Sequence, residues 1–173
     1  MKTEKIPKKN SRGEAFVAFV LKRLAQDTAF GAALRRADNP ATEYQSWEHL
    51  ASWCDLDNAY ERTCFATVAA GLARAKQSID TPSGIGSAIA RSYNDGNQDD
   101  SAKRKLRRLL ACDTSAEACQ WVRPLLRLAE SRGVRINYGR LLDDLLYFGP
   151  KVKERWAMDF YGRREAKDDS ISA

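Results

Sequence analysis

Histidine is nearly absent from this 173-residue chain: His49 is the only one. The four cysteines, Cys54, Cys64, Cys112 and Cys119, include no C-x-x-C pair. Zinc needs clustered thiolate and imidazole ligands, so no zinc site is expected, and free buried thiols in a reducing cytoplasm fit better. There is no Gly-Lys-Ser/Thr phosphate loop. No apolar run approaches the roughly 20 residues of a membrane span; the longest is Ala15 to Leu21. The start, residues 1–10, is basic but lacks an apolar stretch and a cleavage site, so no signal peptide is expected. Strand signals are also scarce: two-residue alternation is not sustained, and the one Asp95-Gly96 dipeptide lacks strand-like flanks.

Helical signals fill the chain instead. Ser11 and Glu14 have capping-box spacing, and Phe16, Val20 and Leu24 follow every four residues, predicting a helix over 14–26. Asp27 is placed to cap a second helix, which Asn39-Pro40 should end. Tyr44, Trp47 and Leu50 mark a third. Asp55 or Asp57 should cap a long fourth, whose Ala69, Ala70 and Gly71 would let another helix approach closely. Residues 78–84 read as a boundary between lobes, and 94–98 as a flexible loop. Short helices are expected over 85–93 and 100–111. A longer one starts at Asp113 or Thr114, places Trp121, Leu125, Leu128 and Ala129 inward, and carries Pro124 as a kink or as its true start. Asn137 should cap residues 138–148, and 152–161 make the last helix. The expectation is an all-α fold, a two-lobed bundle of about eight or nine helices. Its parts are a flexible basic segment over 1–13, lobes over 14–80 and 81–162, and a flexible tail over 163–173.

Charge is the strongest functional signal. Lys and Arg number 29 against 23 Asp and Glu, a net of +6. Much of the excess is Lys103, Arg104, Lys105, Arg107 and Arg108, five cations in six residues. On a helix, Ala102, Leu106, Leu109 and Leu110 share one arc of about 100°, leaving a wide cationic face. Such a face suits phosphates along a nucleic-acid backbone. Asn and Gln are not interleaved for base readout, so binding without sequence preference is expected. Arg35, Arg36, Arg91, Arg123 and Arg127 are further candidates, and Lys151, Lys153 and Arg155 open the last helix.

Several segments, taken in order, are similar to one family: 30–37 (FGAALRRA) with Asn39-Pro40, 84–90 (GIGSAIA), 107–113 (RRLLACD), 125–129 (LLRLA), 136–142 (INYGRLL) and 152–161 (VKERWAMDFY). Over roughly residues 14–162 the chain resembles CasB, the small subunit of the type I-E CRISPR effector complex Cascade. The resemblance implies a two-lobed helical bundle without enzymatic activity or cofactor. It implies two copies side by side within the complex, in contact with backbone and large subunits. The family helps to hold CRISPR guide RNA, target DNA strand and displaced strand, while base pairing reads the sequence. It points most directly at Arg35, Arg36, Arg107 and Arg108.

Two other readings remain open on the residues alone. The stretch Asp143 to Phe148, Gly149-Pro150 and a basic final helix could be a helix-turn-helix regulator, although Trp156, Met158 and Phe160 look like packing residues. The pairs Asp99-Asp100, Asp143-Asp144 and Asp168-Asp169 could serve a metal-dependent nuclease. Neighbours on a helix do not share a face, however, and each pair has an ordinary structural reading.

Overall fold

The computed structural model describes residues 9–162. The segments 1–8 and 163–173, with the flexibility expected of them and the Asp168-Asp169 pair, lie outside the described residues. Among the described residues there are nine α-helices, two short 3-10 turns and no strand. The helices are α1 (Arg12–Leu24), α2 (Thr28–Leu34), α3 (Trp47–Leu50), α4 (Ala59–Arg74), α5 (Ile85–Arg91), α6 (Asp100–Leu110), α7 (Ser115–Ser131), α8 (Tyr138–Leu146) and α9 (Pro150–Tyr161).

Caps explain most of the boundaries. Ser11 and Glu14 form a reciprocal capping box, so α1 begins two residues earlier than periodicity alone suggests. Thr114 and Glu117 form a second one at α7. Asn58, rather than Asp55 or Asp57, caps α4 by accepting from the amides of Tyr60 and Glu61. The helix α2 ends at Leu34, before Asn39-Pro40, because its last turn tightens into i to i+3 bonds from Arg36 to Ala33 and from Ala37 to Leu34. Pro124 is neither the start of α7 nor a break in it: the helix runs through from Ser115. Pro124 and Gln120 both face solvent, where water serves the carbonyl that a proline at i+4 leaves unpaired. The 94–98 segment is a built turn, with Gly96–Gln98 in 3-10 geometry and Asn97 donating to the Tyr161 carbonyl.

Packing runs across the chain order. The helix α1 lies against α8, α4 against α7 and α8, and α5 against α9. Gly71 behaves as its small size predicts: a Cβ there would come within 2.6 Å of Leu126, so α7 seats directly on α4. Gly86 brings the backbone of α5 so close to α9 that a Cβ would sit 2.1 Å from the Trp156 carbonyl. The 78–84 connection is tied to the start of α8. Asp80 accepts from the amides of Tyr138 and Gly139 at 2.8 and 2.9 Å, and Ser83 accepts from that of Asn137. The core runs from Phe16 and Phe65 through Leu126 and Leu142 to Trp156 and Phe160. No described helix is long and apolar enough to cross a membrane.

Candidate nucleic-acid interface

The cationic helix forms as its pattern requires. Asp99 caps α6, accepting from the amides of Ser101 and Ala102 at 2.8 and 2.9 Å. Arg107 and Arg108 occupy the last turn, where positive charge complements the helix dipole. Ala102, Leu106 and Leu109 are buried and Leu110 is half-buried. That anchored seam turns Arg104, Arg107 and Arg108 fully outward, with Lys103 and Lys105 at its edges.

None of these five cations meets a carboxylate among the described residues. Arg12, Arg23, Arg74, Arg140 and Arg155, by contrast, are each paired with Asp or Glu. Arg104 donates only to the Ser101 hydroxyl, at 2.9 Å. The Arg108 guanidinium lies over the Trp121 ring, 5.1 Å from its centroid. Tyr93, Ser101, Arg104, Lys105 and Arg108 line a surface cavity of about 260 Å³. Burial, with Asp99 nearby, pushes the Tyr93 phenol up, so it stays a neutral donor there.

A second cationic group gathers around Asp38. Arg74 grips both carboxylate oxygens and also donates to the Arg35 carbonyl at 2.7 Å. Arg127 lies 3.8 Å from the same carboxylate and is 62% exposed. The Arg35 side chain is exposed but lies near Gly31 and lines a surface cavity with Leu24 and Lys76, and Arg36 donates to Gln45. Arg123 is half-buried and donates to Thr67. One carboxylate thus faces two guanidinium groups, those of Arg74 and Arg127. The helix α7 links the two groups: Trp121 touches α6, and Arg127 reaches Asp38 six residues further on, about 9 Å along the axis. Arg91 joins neither group; its guanidinium reaches Ser83 instead.

Three readings need correction. Trp121, expected inward, is 41% exposed, because Ala118, Val122 and Leu125 take the buried face of α7. Leu128 is only half-buried, for it lies at the edge of that face. Met158, read as packing, is exposed, since Trp156 and Phe160 fill the contact of α9 with the body. Sequence reasoning also missed Tyr93 and the Arg108–Trp121 contact. The residues concerned lie on separate elements, and no local pattern joins them.

The acidic pairs have structural partners. Asp143 accepts from the Gly13 amide at the start of α1. Asp144 is buried between Arg155 and the Trp156 indole. No three His, Cys, Asp or Glu among the described residues are placed to hold a metal ion. The four cysteines are free and buried. Of the α9 cations, Arg155 is paired with the buried Asp144, Lys153 lies over Phe148, and Lys151 makes an exposed pair with Glu154. That leaves little for a recognition helix to offer a DNA groove.

The family model for the CRISPR-associated protein Cse2 matches residues 31–161. This chain belongs to the Cse2 family. Solved structures agree with its fold. CasB of M. ruber is 27% identical, with a TM-score of 0.70, over 88% of this Cse2 chain and 94% of that one. CasB of Thermus thermophilus is 28% identical, with a TM-score of 0.69, over 88% and 99%. A chain from a structure titled CRISPR RNA-guided surveillance complex has a TM-score of 0.71 over 87% and 91%, at 22% identity. No curated protein matches this Cse2 chain.

Proposed function

We propose that this chain is a non-catalytic subunit of a CRISPR RNA-guided surveillance complex and holds nucleic acid by its sugar-phosphate framework, whatever the sequence. The observation that carries the reading is the set of α6 cations: Arg104, Arg107 and Arg108 exposed, Lys103 and Lys105 half-exposed, and none with a carboxylate partner among the described residues. Cations committed to folding are neutralised in place; these are left for an external polyanion. Arg123 and Arg127 on α7, and Arg35 and Arg36 just past α2, are further candidate contacts, while Arg91, which reaches Ser83, is a separate one. The ligands are guide RNA, target strand and displaced strand, with backbone and large subunits and a second copy of the chain as protein partners. Absence of catalysis fits the structural duties of Asp99, Asp143 and Asp144.

The test is the double charge reversal Arg107→Glu with Arg108→Glu. Both side chains are exposed, so the variant should stay folded with a helical spectrum close to wild type, its unfolding midpoint lowered modestly by the reversed charge in the last turn of α6. Its affinity for a labelled single strand should fall at least about tenfold, from two lost phosphate contacts and two new repulsions. Unchanged affinity in the folded variant would remove α6 from the interface.

A further inference from the structure

Of the four tryptophans, Trp121 is the one set at the surface among the cations. Trp156 is buried, with its indole nitrogen donating to Asp144, and Trp53 packs edge-on against Phe16 and at a tilt against Phe19. Trp47 is half-buried beside Arg62. Trp121 has no aromatic neighbour among the described ring pairs, while Ala118, Cys119, Val122 and Leu125 complete the buried side of its helix without it. Its one notable partner is Arg108, whose guanidinium lies 5.1 Å from the ring centroid and leaves the residue 41% exposed. Beside the core seam of α6, Arg104, Lys105 and Arg108 converge with the half-buried Tyr93 on the small surface cavity.

We infer that Trp121, held under Arg108, is a base-stacking residue that makes this cationic surface prefer unpaired strands over duplex. The inference rests on the nucleic-acid reading above and names which form of nucleic acid the site selects. A cation track alone does not distinguish a strand with bases from one without them, because it meets only phosphates. An exposed indole beside such a track adds a flat apolar surface that an unpaired base can cover, and a base already stacked in a duplex cannot. The cavity bounded by Arg104, Lys105 and Arg108 has the charge for a phosphate, and Arg108 borders both it and the ring, so one nucleotide would engage both. A protein partner fits the patch less well. Burying Trp121 against an uncharged protein surface would desolvate Arg108 and the neighbouring Arg104 and Lys105 without a carboxylate to pair with them.

The experiment uses the full chain and three labelled ligands of equal length at one low salt concentration. They are a single-stranded oligothymidylate, the same backbone with abasic sites throughout, and a duplex. Wild type is expected to bind the base-bearing strand most tightly. In Trp121→Ala that affinity should fall about tenfold, to the level of the abasic strand, with abasic and duplex binding unchanged. Trp121→Phe should retain most of the preference. Wild-type affinities for all three ligands in Trp121→Ala would overturn the stacking role while leaving backbone binding intact, and would turn the patch toward a protein partner. An equal loss on all three would also overturn it, since Trp121 would then only position Arg108. No binding of any ligand by wild type would overturn both this inference and the nucleic-acid reading beneath it.

Discussion

Asp38 and Arg74 form a bidentate ion pair, with the two carboxylate oxygens 2.6 and 2.7 Å from the terminal guanidinium nitrogens. The pair joins the turn after α2 to the end of α4. Asp38 is almost wholly buried, and its hydrogen bond raises the Arg74 guanidinium further above its already high value. Removing one member of such a pair leaves the other desolvated and uncompensated. Asp38→Ala should therefore cost about 3 kcal/mol of stability, read as a lower urea midpoint. Nucleic-acid affinity at a temperature where the variant remains folded should not fall, because the change frees Arg127 as well as Arg74. A variant as stable as wild type would show that the pair is dispensable.

Glu61 sets an acid dependence. Its hydrogen bond from Arg12 holds its carboxyl below the ordinary glutamate range. The folded chain thus binds the Glu61 proton less readily than the unfolded chain. The resulting stabilisation is fully present above the unfolded value, about pH 4.3, and is lost as pH falls through the lower folded value. Glu61→Gln should lower the urea midpoint at pH 7, and the gap from wild type should narrow towards pH 3. A gap that stays constant with pH would contradict the assignment.

The thiols should be silent in the folded protein. Burial pushes Cys54 up to about 11 and also raises Cys112. Cys64 is raised by its hydrogen bond with Cys119 and by burial. Cys119 is lowered by the same contact, yet it is fully buried, so a reagent has no access to it. A disulfide reagent at pH 8 should label none of the four rapidly and all four after unfolding in urea. A fast-reacting thiol in the native protein would contradict this burial.

Much of the fold was legible because local chemistry sets it. The box of Ser11 with Glu14, the caps Asp27 and Asn137, and the seam Ala102, Leu106 and Leu109 can all be read without tertiary information. Asn58 was hidden by Asp55 and Asp57, which carry the same capping chemistry within three residues of it. Trp121 was misplaced because aromatic periodicity signals a core face, and α7 buries enough small and branched residues to leave its indole outside. The α6 cations were plain in the sequence. Their link through Trp121 to Arg127 and Asp38 was not, since it depends on α7 lying between α6 and α4, a matter of packing that residue order does not encode.

The most direct measurement is fluorescence anisotropy of the wild-type chain with single-stranded oligonucleotides of unrelated sequence across a salt series. If the α6 cations bind phosphates, the sequences should give similar affinities, and log K should fall with log salt with a slope on the order of −3. Affinity that differs strongly between sequences, or that scarcely changes with salt, would contradict binding through the sugar-phosphate framework.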